Sequence, residues 1–291
     1  MSIRITTPFP VDHWDAVKKN GARQRPARSD ARKGLLAGRK GLIFGIANER
    51  SIACQIARHC LDEGAECAFP FLPGEKSERR VRQALAGLGA SEPHLMACNV
   101  TNEGDLDATL AAAGEQFGAI DFVVHSIAYA DRTYLRHGRF VETPRDVFAQ
   151  ALDISAYSLV AMAQRARAIM PNGGSIVAMS YYGSEKVVPG YNVMGVAKAA
   201  LEASARYLAA ELGEHGIRVN TLSAGPIRTL SSAAVAGIDE ILEWAPRKAP
   251  LRRNIDGADV GKTAVYLISD LSSGVTGENL YVDAGYNIVG L

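Results

Sequence analysis

The sequence predicts an α/β fold, a doubly wound parallel sheet in a single domain. Three observations carry that expectation. Short apolar runs of strand length alternate with amphipathic helical segments from residue 41 to residue 282. The strand runs are apolar on both faces, as a sheet covered by helices on both sides requires. Strand–helix alternation also implies parallel pairing through right-handed crossovers.

The elements follow in order. Residues 41–45 read as a buried strand. Residues 51–61 read as a helix, with Ile52, Ile56 and Ala57 on one face and Gly64 just past its end. A second strand over 65–71 is closed by Pro73 and Gly74. A helix over 77–88 stops at Gly89. A third strand spans 94–100 and a third helix 105–117. Residues 120–127 form a strand, and 144–170 one long helical region. A strand over 174–180 precedes a helix over 193–215. A strand over 217–222, a helix over 260–269 and a strand over 279–282 complete the sheet.

Composition excludes several classes. Of 291 residues, 47% are hydrophobic and 22% charged, which fits a globular domain with a sizeable core. A net charge of +1 gives no footprint for nucleic acid. Cys54, Cys60, Cys67 and Cys98 form no C-x-x-C pair and have no histidine partners at zinc spacing. They read as reduced, buried thiols, and no metal is expected. No apolar run reaches membrane-spanning length and no signal-peptide core is present, so no membrane partner is expected and the cytoplasm is the default location. Residues 1–37 read as a basic extension interrupted by Pro8, Pro10 and Pro26. A mobile arm or an oligomer-contact arm is the expected role. Residues 38–291 form the domain.

The turn after the first strand runs Gly45-Ile46-Ala47-Asn48-Glu49-Arg50-Ser51-Ile52-Ala53. It lacks the G-x-G-x-x-G dinucleotide fingerprint but meets its physical needs. Gly45 permits a tight turn, Ser51 offers a hydroxyl, and the helix N-terminus presents N–H groups and a positive dipole end to a phosphate. A plain N-cap serine is the alternative reading. The absence of Arg or Lys directly after Phe71 favours NAD over NADP, although Lys76 and Arg79 lie nearby.

Tyr191 and Lys198 are seven positions apart, two turns along one helix face. A tyrosine can donate to an oxygen that gains negative charge, and a nearby ammonium favours the phenolate. A packed tyrosine and a solvated lysine would share the same spacing.

Four motifs occur in order: the Gly45–Ala53 turn, His125-Ser126-Ile127-Ala128, Tyr191 with Lys198, and Ser223-Ala224-Gly225-Pro226-Ile227-Arg228-Thr229. Together they resemble the NADH-dependent enoyl-acyl carrier protein reductases of bacterial fatty-acid synthesis, divergent members of the short-chain dehydrogenase/reductase superfamily. The resemblance runs from about Gly38 to Gly285. It implies a Rossmann-type fold, NADH as cofactor with NADPH left open, an enoyl thioester on acyl carrier protein as substrate, and a homotetramer.

The resemblance also implies residue roles. Tyr191 would hydrogen-bond the thioester carbonyl, Tyr181 would be a second active-site tyrosine, and Lys198 would hold the nicotinamide ribose. Gly45, Ser51 and Ile52 would line the pyrophosphate. Asn99 and Val100 would flank adenine, and Ile127 would line the nicotinamide. Ile227, Arg228, Thr229, Leu230 and Ser231 would cover the cofactor amide and open the substrate loop. Ala130 would touch the acyl group. Leu72 and Asn99 stand at cofactor positions where the family usually carries Gln and Asp. Typical superfamily members have Tyr four residues before the lysine, where this chain has Met194, and Asn in the central helix, where it has Ser155. Both departures suit the enoyl reductases and oppose a ketoacyl reductase. A non-catalytic cofactor-binding paralogue is the competing reading of another class.

Residues 230–250 are rich in Ala, Ser and short apolar runs such as Ile241-Leu242. They predict a mobile helical substrate lid, with an ordinary surface helix pair as the alternative.

Overall fold

The computed structural model describes residues 34–90, 92–230 and 232–290. Most of the basic extension, to residue 33, and Ser231 lie outside the described residues. The strands are β1 (Lys40–Phe44), β2 (Glu66–Phe71), β3 (His94–Ala97), β4 (Phe122–His125), β5 (Gly174–Ser180), β6 (Ile217–Ala224) and β7 (Asn279–Val282). They form one sheet in the order β3-β2-β1-β4-β5-β6-β7, and every pairing is parallel. The helices are α1 (Ile52–Asp62), α2 (Glu75–Ala86), α3 (Glu103–Phe117), α4 (Arg145–Leu152), α5 (Ser158–Ala166), α6 (Val193–Leu212), α7 (Ile238–Lys248) and α8 (Gly257–Ile268).

Two hydrophobic cores follow from the period of two along each strand. Ile43 of β1 and Val124 of β4 pack with α1 and α8 through Ile56, Val260 and Leu267. Leu42, Phe44 and Val123 point the other way and pack with α3, α5 and α6 through Leu106, Leu159 and Leu201. All of these side chains are at most 2% exposed. The central strands β1, β4 and β5 are therefore buried on both faces, as their apolar runs predict, while the edge strands β3 and β7 are only partly covered.

The chain builds outward from β1 to β3, then crosses back to β4 on the other side of β1. Strand order reverses between β1 and β4. Such a switch point opens a crevice at the carboxyl ends of the strands, where ligands bind in folds of this kind.

Three differences from the sequence reading, and one helix that it expected, have physical causes. The expected helix over 144–170 is broken by a π-helical turn at Asp153–Tyr157. There the Ser158 hydroxyl donates to the carbonyl of Ile154 at 2.7 Å, a back-bond that competes with regular helix pairing. Strand β3 ends at Ala97 rather than residue 100, because the Asn99 side chain turns the backbone by accepting from Thr101 N at 3.2 Å. Residues 34–37 belong with the domain, since Leu36 is fully buried in the core and its N–H donates to Glu63 O at 3.0 Å. In the expected lid, α7 forms as a helix although Pro246 lies inside it. Proline cannot donate to the carbonyl of Leu242, and Asn254 Nδ2 donates to that carbonyl instead, at 2.8 Å.

Candidate active site

The crevice holds a cavity of about 630 Å³, within the range of small-molecule sites. Its floor is laid by the ends of β1, β4, β5 and β6 and its roof by the segment that leads into α7.

β1 delivers Gly45 at φ +101°, and a Cβ there would lie 2.0 Å from the Ser126 carbonyl oxygen. The glycine is thus required twice, by its backbone conformation and by close approach to the turn after β4. Ser51 caps α1, accepting from Cys54 N at 3.3 Å and donating to Asn48 O at 2.7 Å. The first turn of α1 carries no acidic residue, unlike those of α2 and α3. Its positive dipole end therefore faces the cavity uncompensated, which fits a pyrophosphate.

β5 delivers Ser180 and Tyr181. Tyr181 and Tyr191 meet edge to face with ring centroids 4.9 Å apart. A Cβ on Gly183 would come within 2.5 Å of the Tyr191 ring, so this position must stay bare for the ring to seat. Tyr191 is not on the helix with Lys198, as its spacing suggested. Helix α6 begins at Val193, and Tyr191 sits on the turn before it. Asn192 breaks the helix there with φ 47°, while its Nδ2 donates to the carbonyls of Tyr134 and Arg136 at 2.6 and 2.7 Å. The tyrosine, the start of α6 and the 134–136 loop are thereby fixed to one another.

Lys198 is 5% exposed and donates to Met179 O at 2.7 Å. Burial lowers its ammonium to about 8, with Glu202 opposing the shift. Burial raises the Tyr191 phenol well above the ordinary tyrosine value, reinforced by Tyr181 and Glu202, and burial brings Tyr181 up to about 12. The expectation that the ammonium favours a Tyr191 phenolate is therefore overturned: desolvation dominates, and Tyr191 is a protonated donor at neutral pH. His125 ends β4 fully buried, lowered to about 3 by burial and by Lys198, and hence neutral. Its Nε2 lies 2.7 Å from Ser158 Oγ.

The two departures from the superfamily pattern meet. Ser155 Oγ lies 3.9 Å from Met194 Sδ and holds Tyr129 by both backbone groups, accepting from its N–H at 3.0 Å and donating to its carbonyl at 3.2 Å. The smaller serine accommodates Met194 and fixes the wall beside Ala130.

Most sequence-predicted residues converge on the cavity. Gly45, Ser51 and Ile52 line it at the α1 end, Ile127 and Ala130 after β4, and Tyr181, Tyr191 and Lys198 opposite. Ile227, Thr229 and Leu230 line it below α7. Four do not line it. Leu72 is 62% exposed just after β2. Asn99 is engaged with Thr101, and its N–H donates to Asp105 Oδ2 at 2.8 Å. Val100 packs on the core cluster. Arg228 pairs with Asp239 at 2.5 Å, tying the turn after β6 to α7. Ser126, named within its motif but given no role of its own, lines the cavity. The sequence reading missed Asp131, which also lines it, and the glycine that seats Tyr191. Gly183, immediately after the tyrosine pair, was the available signal.

A tyrosine and a buried lysine at the switch point of a doubly wound sheet define a dinucleotide-dependent oxidoreductase. Comparison with known proteins gives the family. The family model described as enoyl-(acyl carrier protein) reductase matches residues 45–287. The enoyl-acyl carrier protein reductase (NADH) 1 of Rhizobium meliloti is 51% identical over 89% of this chain and 93% of its own. The Bacillus cereus enoyl-acyl carrier protein reductase (NADH) FabI is 49% identical over 88% of this chain and 99% of its own. The crystal structure of a Bacillus cereus enoyl-acyl carrier protein reductase with NADP+ and an indole naphthyridinone superposes with a TM-score of 0.86, at 49% identity, covering 89% of this chain and all of that one. The Anaplasma phagocytophilum reductase in complex with NAD gives 0.83 at 44% identity, covering 89% and 95%. The chain belongs to the enoyl-acyl carrier protein reductase family.

Proposed function

We propose that this protein is an NADH-dependent enoyl-acyl carrier protein reductase, acting on trans-2-enoyl thioesters in fatty-acid biosynthesis. The observation that carries the reading is the convergence of Tyr181, Tyr191 and Lys198 on one cavity whose far end is the N-terminus of α1. The names of the relatives support the same substrate and cofactor.

When bound, the dinucleotide supplies a hydride to the β carbon of the substrate. The chain's residues do the rest. Gly45, Ser51 and Ile52 would hold the pyrophosphate, and Ile127 and Ile227 would flank the nicotinamide. Arg228, Thr229, Leu230 and Ser231 would complete its cover, with Leu72, Asn99 and Val100 toward adenine. Lys198 would bind the ribose hydroxyls as an ammonium. Negative charge appears on the thioester oxygen once the β carbon is reduced. The Tyr191 hydroxyl, kept protonated by burial, donates to that oxygen and stabilises the transition state more than the ground state. Tyr181 packs on the Tyr191 ring and is the nearby candidate for protonating the α carbon. Ala130 and the α7 segment would enclose the acyl chain.

We place the enzyme in the cytoplasm as a homotetramer; among the described residues no helix is long and apolar enough to cross a membrane. Tyr157, Val196 and Tyr207, exposed on the α5–α6 side, support an interface there. The basic N-terminal segment would be an arm outside the catalytic domain.

NADH oxidation with a trans-2-enoyl thioester tests the activity, with a 3-ketoacyl thioester and NADPH as comparisons. Turnover of the enoyl substrate is expected. Turnover of the ketoacyl substrate alone would move the protein to the ketoacyl reductases, and NADH binding without either turnover would favour a non-catalytic paralogue.

A further inference from the structure

Glu202 is a charged residue buried in the interior for which the mechanism above has no use. It is 6% exposed and lies four residues beyond Lys198 on α6. Residues four apart share a helix face. The two groups form no ion pair within 4.0 Å; Lys198 Nζ bonds Met179 O and Glu202 Oε1 accepts from Ser180, so the carboxylate acts on the ammonium through space. At the surface such an interaction would be screened, but Lys198 is only 5% exposed and Glu202 6%, so both groups are withdrawn from water. Each half is anchored to β5 by a separate bond. Lys198 Nζ donates to the carbonyl of Met179 at 2.7 Å, and the Ser180 hydroxyl donates to Glu202 Oε1. Met179 and Ser180 are consecutive, and the next residue is Tyr181.

We propose that Glu202 is a positioning residue for Lys198: its carboxylate, held by Ser180, supplies the counter-charge that keeps the buried lysine cationic and in register with the end of β5. An isolated ammonium at this depth sheds its proton or seeks water. With the carboxylate on the same buried face of α6, Lys198 can present N–H donors toward the cavity at neutral pH. The inference rests on Lys198 serving the reductase site proposed above.

The other titratable groups around the pair do not supply that charge. His125, from β4, is neutral. Tyr181, at the end of β5, and Tyr191, before α6, stay protonated. Tyr281, from β7, is held protonated by burial and by its hydrogen bond to Glu185. The buried residues of α4, α5 and β6, which pack against α6, are uncharged. The acids of the two turns that also pack on it, Glu185 after β5 and Asp153 of the π-helical turn, are exposed, Glu185 accepting from Tyr281. Lowering of the Lys198 ammonium to about 8, with Glu202 acting against the fall, agrees with this arrangement.

The sign of the test follows. Lys198 is cationic below its midpoint and loses its proton as pH rises through it. Glu202→Gln keeps the size and a hydrogen-bond acceptor but removes the charge, so the midpoint moves down by about one unit or more. Protein carrying ε-13C lysine, without cofactor, reads that midpoint directly, with Lys198→Met assigning the signal. In Glu202→Gln the midpoint is expected to fall, and the alkaline limb of kcat to move to lower pH with it. Glu202→Asp is expected to restore both in large part. Ser180→Ala, which frees the carboxylate, is expected to shift the midpoint in the same direction by less, and it serves should Glu202→Gln fail to fold. An unchanged Lys198 midpoint in folded Glu202→Gln, or in Ser180→Ala if only that variant folds, overturns the proposal. So does an equal loss of activity in the Gln and Asp variants with no shift in profile. Because the midpoint is read without turnover, failure of the reductase assignment leaves a distinct result: a shifted midpoint in a protein that does not reduce enoyl thioesters.

Discussion

At the scale of single residues, the site is set by what burial does to ordinary side chains. A phenol in water at neutral pH is already protonated, and withdrawing Tyr191 from water makes its proton harder still to lose. The residue is therefore a hydrogen-bond donor rather than a base, which is what the proposed reaction asks of it. Tyr191→Phe removes that donor and leaves the ring that packs on Tyr181. We expect kcat to fall about 10²- to 10³-fold, the loss typical of one such donor. NADH affinity should stay unchanged, measured by fluorescence titration, since Lys198 and the α1 turn are untouched. A parallel loss of NADH affinity would mean that the ring, not the hydroxyl, is the contribution. Ser155 and Met194 show the same economy of scale. Their contact joins the two positions at which the sequence departs from the superfamily pattern, and Tyr191 sits apart from it on a turn held by Asn192.

At the scale of elements, α7 is the helix least committed to the core. Of its 11 residues only Ala245 is buried. Its anchors are few: the Arg228–Asp239 ion pair, the Asn254 bond to Leu242 O, the Arg252 bond to Arg247 O, and the bond from Ala236 N to Leu135 O at 3.3 Å. An exposed ion pair contributes at most about 1 kcal/mol, so these ties permit opening on the time scale of local unfolding. Yet Val235, Ile238 and Ile241 line the cavity, and a bound cofactor and acyl chain would give them apolar and polar partners. Hydrogen exchange resolved by segment should show residues 232–250 weakly protected in the free protein and markedly slowed by NADH, while α1 and α6 change little. Equal protection of 232–250 in both states would make this segment a fixed surface helix.

At the scale of the whole molecule, what was legible in the sequence is what the sheet itself demands. All seven strands were visible, the central ones because a strand buried on both faces must be a short apolar run and the edge strands β3 and β7 from their place in the strand–helix alternation. The cavity was visible because Gly45 and Tyr181 directly follow such runs and Tyr191 and Lys198 flank the start of the next helix. Features that depend on tertiary partners were not legible. A glutamate four residues after a lysine reads as a solvated helix pair until α6 is seen to be buried on that face. The π-helical turn depends on a hydroxyl back-bond, and α7 survives Pro246 only because distant Asn254 satisfies the free carbonyl. The cysteines follow from composition and core together. Cys54 and Cys60 on α1 and Cys67 on β2 lie in one core, and Cys98 after β3 lies in the other, so the four sample both faces of the sheet. Burial raises every one of these thiols, Cys67 to about 12, and the thiolate is the reactive form. Reaction with a disulfide reagent at pH 8 should therefore be very slow in the native protein, and all four thiols should become reactive together across the denaturant transition that dichroism reports. Labelling of Cys98 well before the other three would show that the α3–α5–α6 side opens separately. A native thiol reacting at the rate of free cysteine would contradict the burial itself.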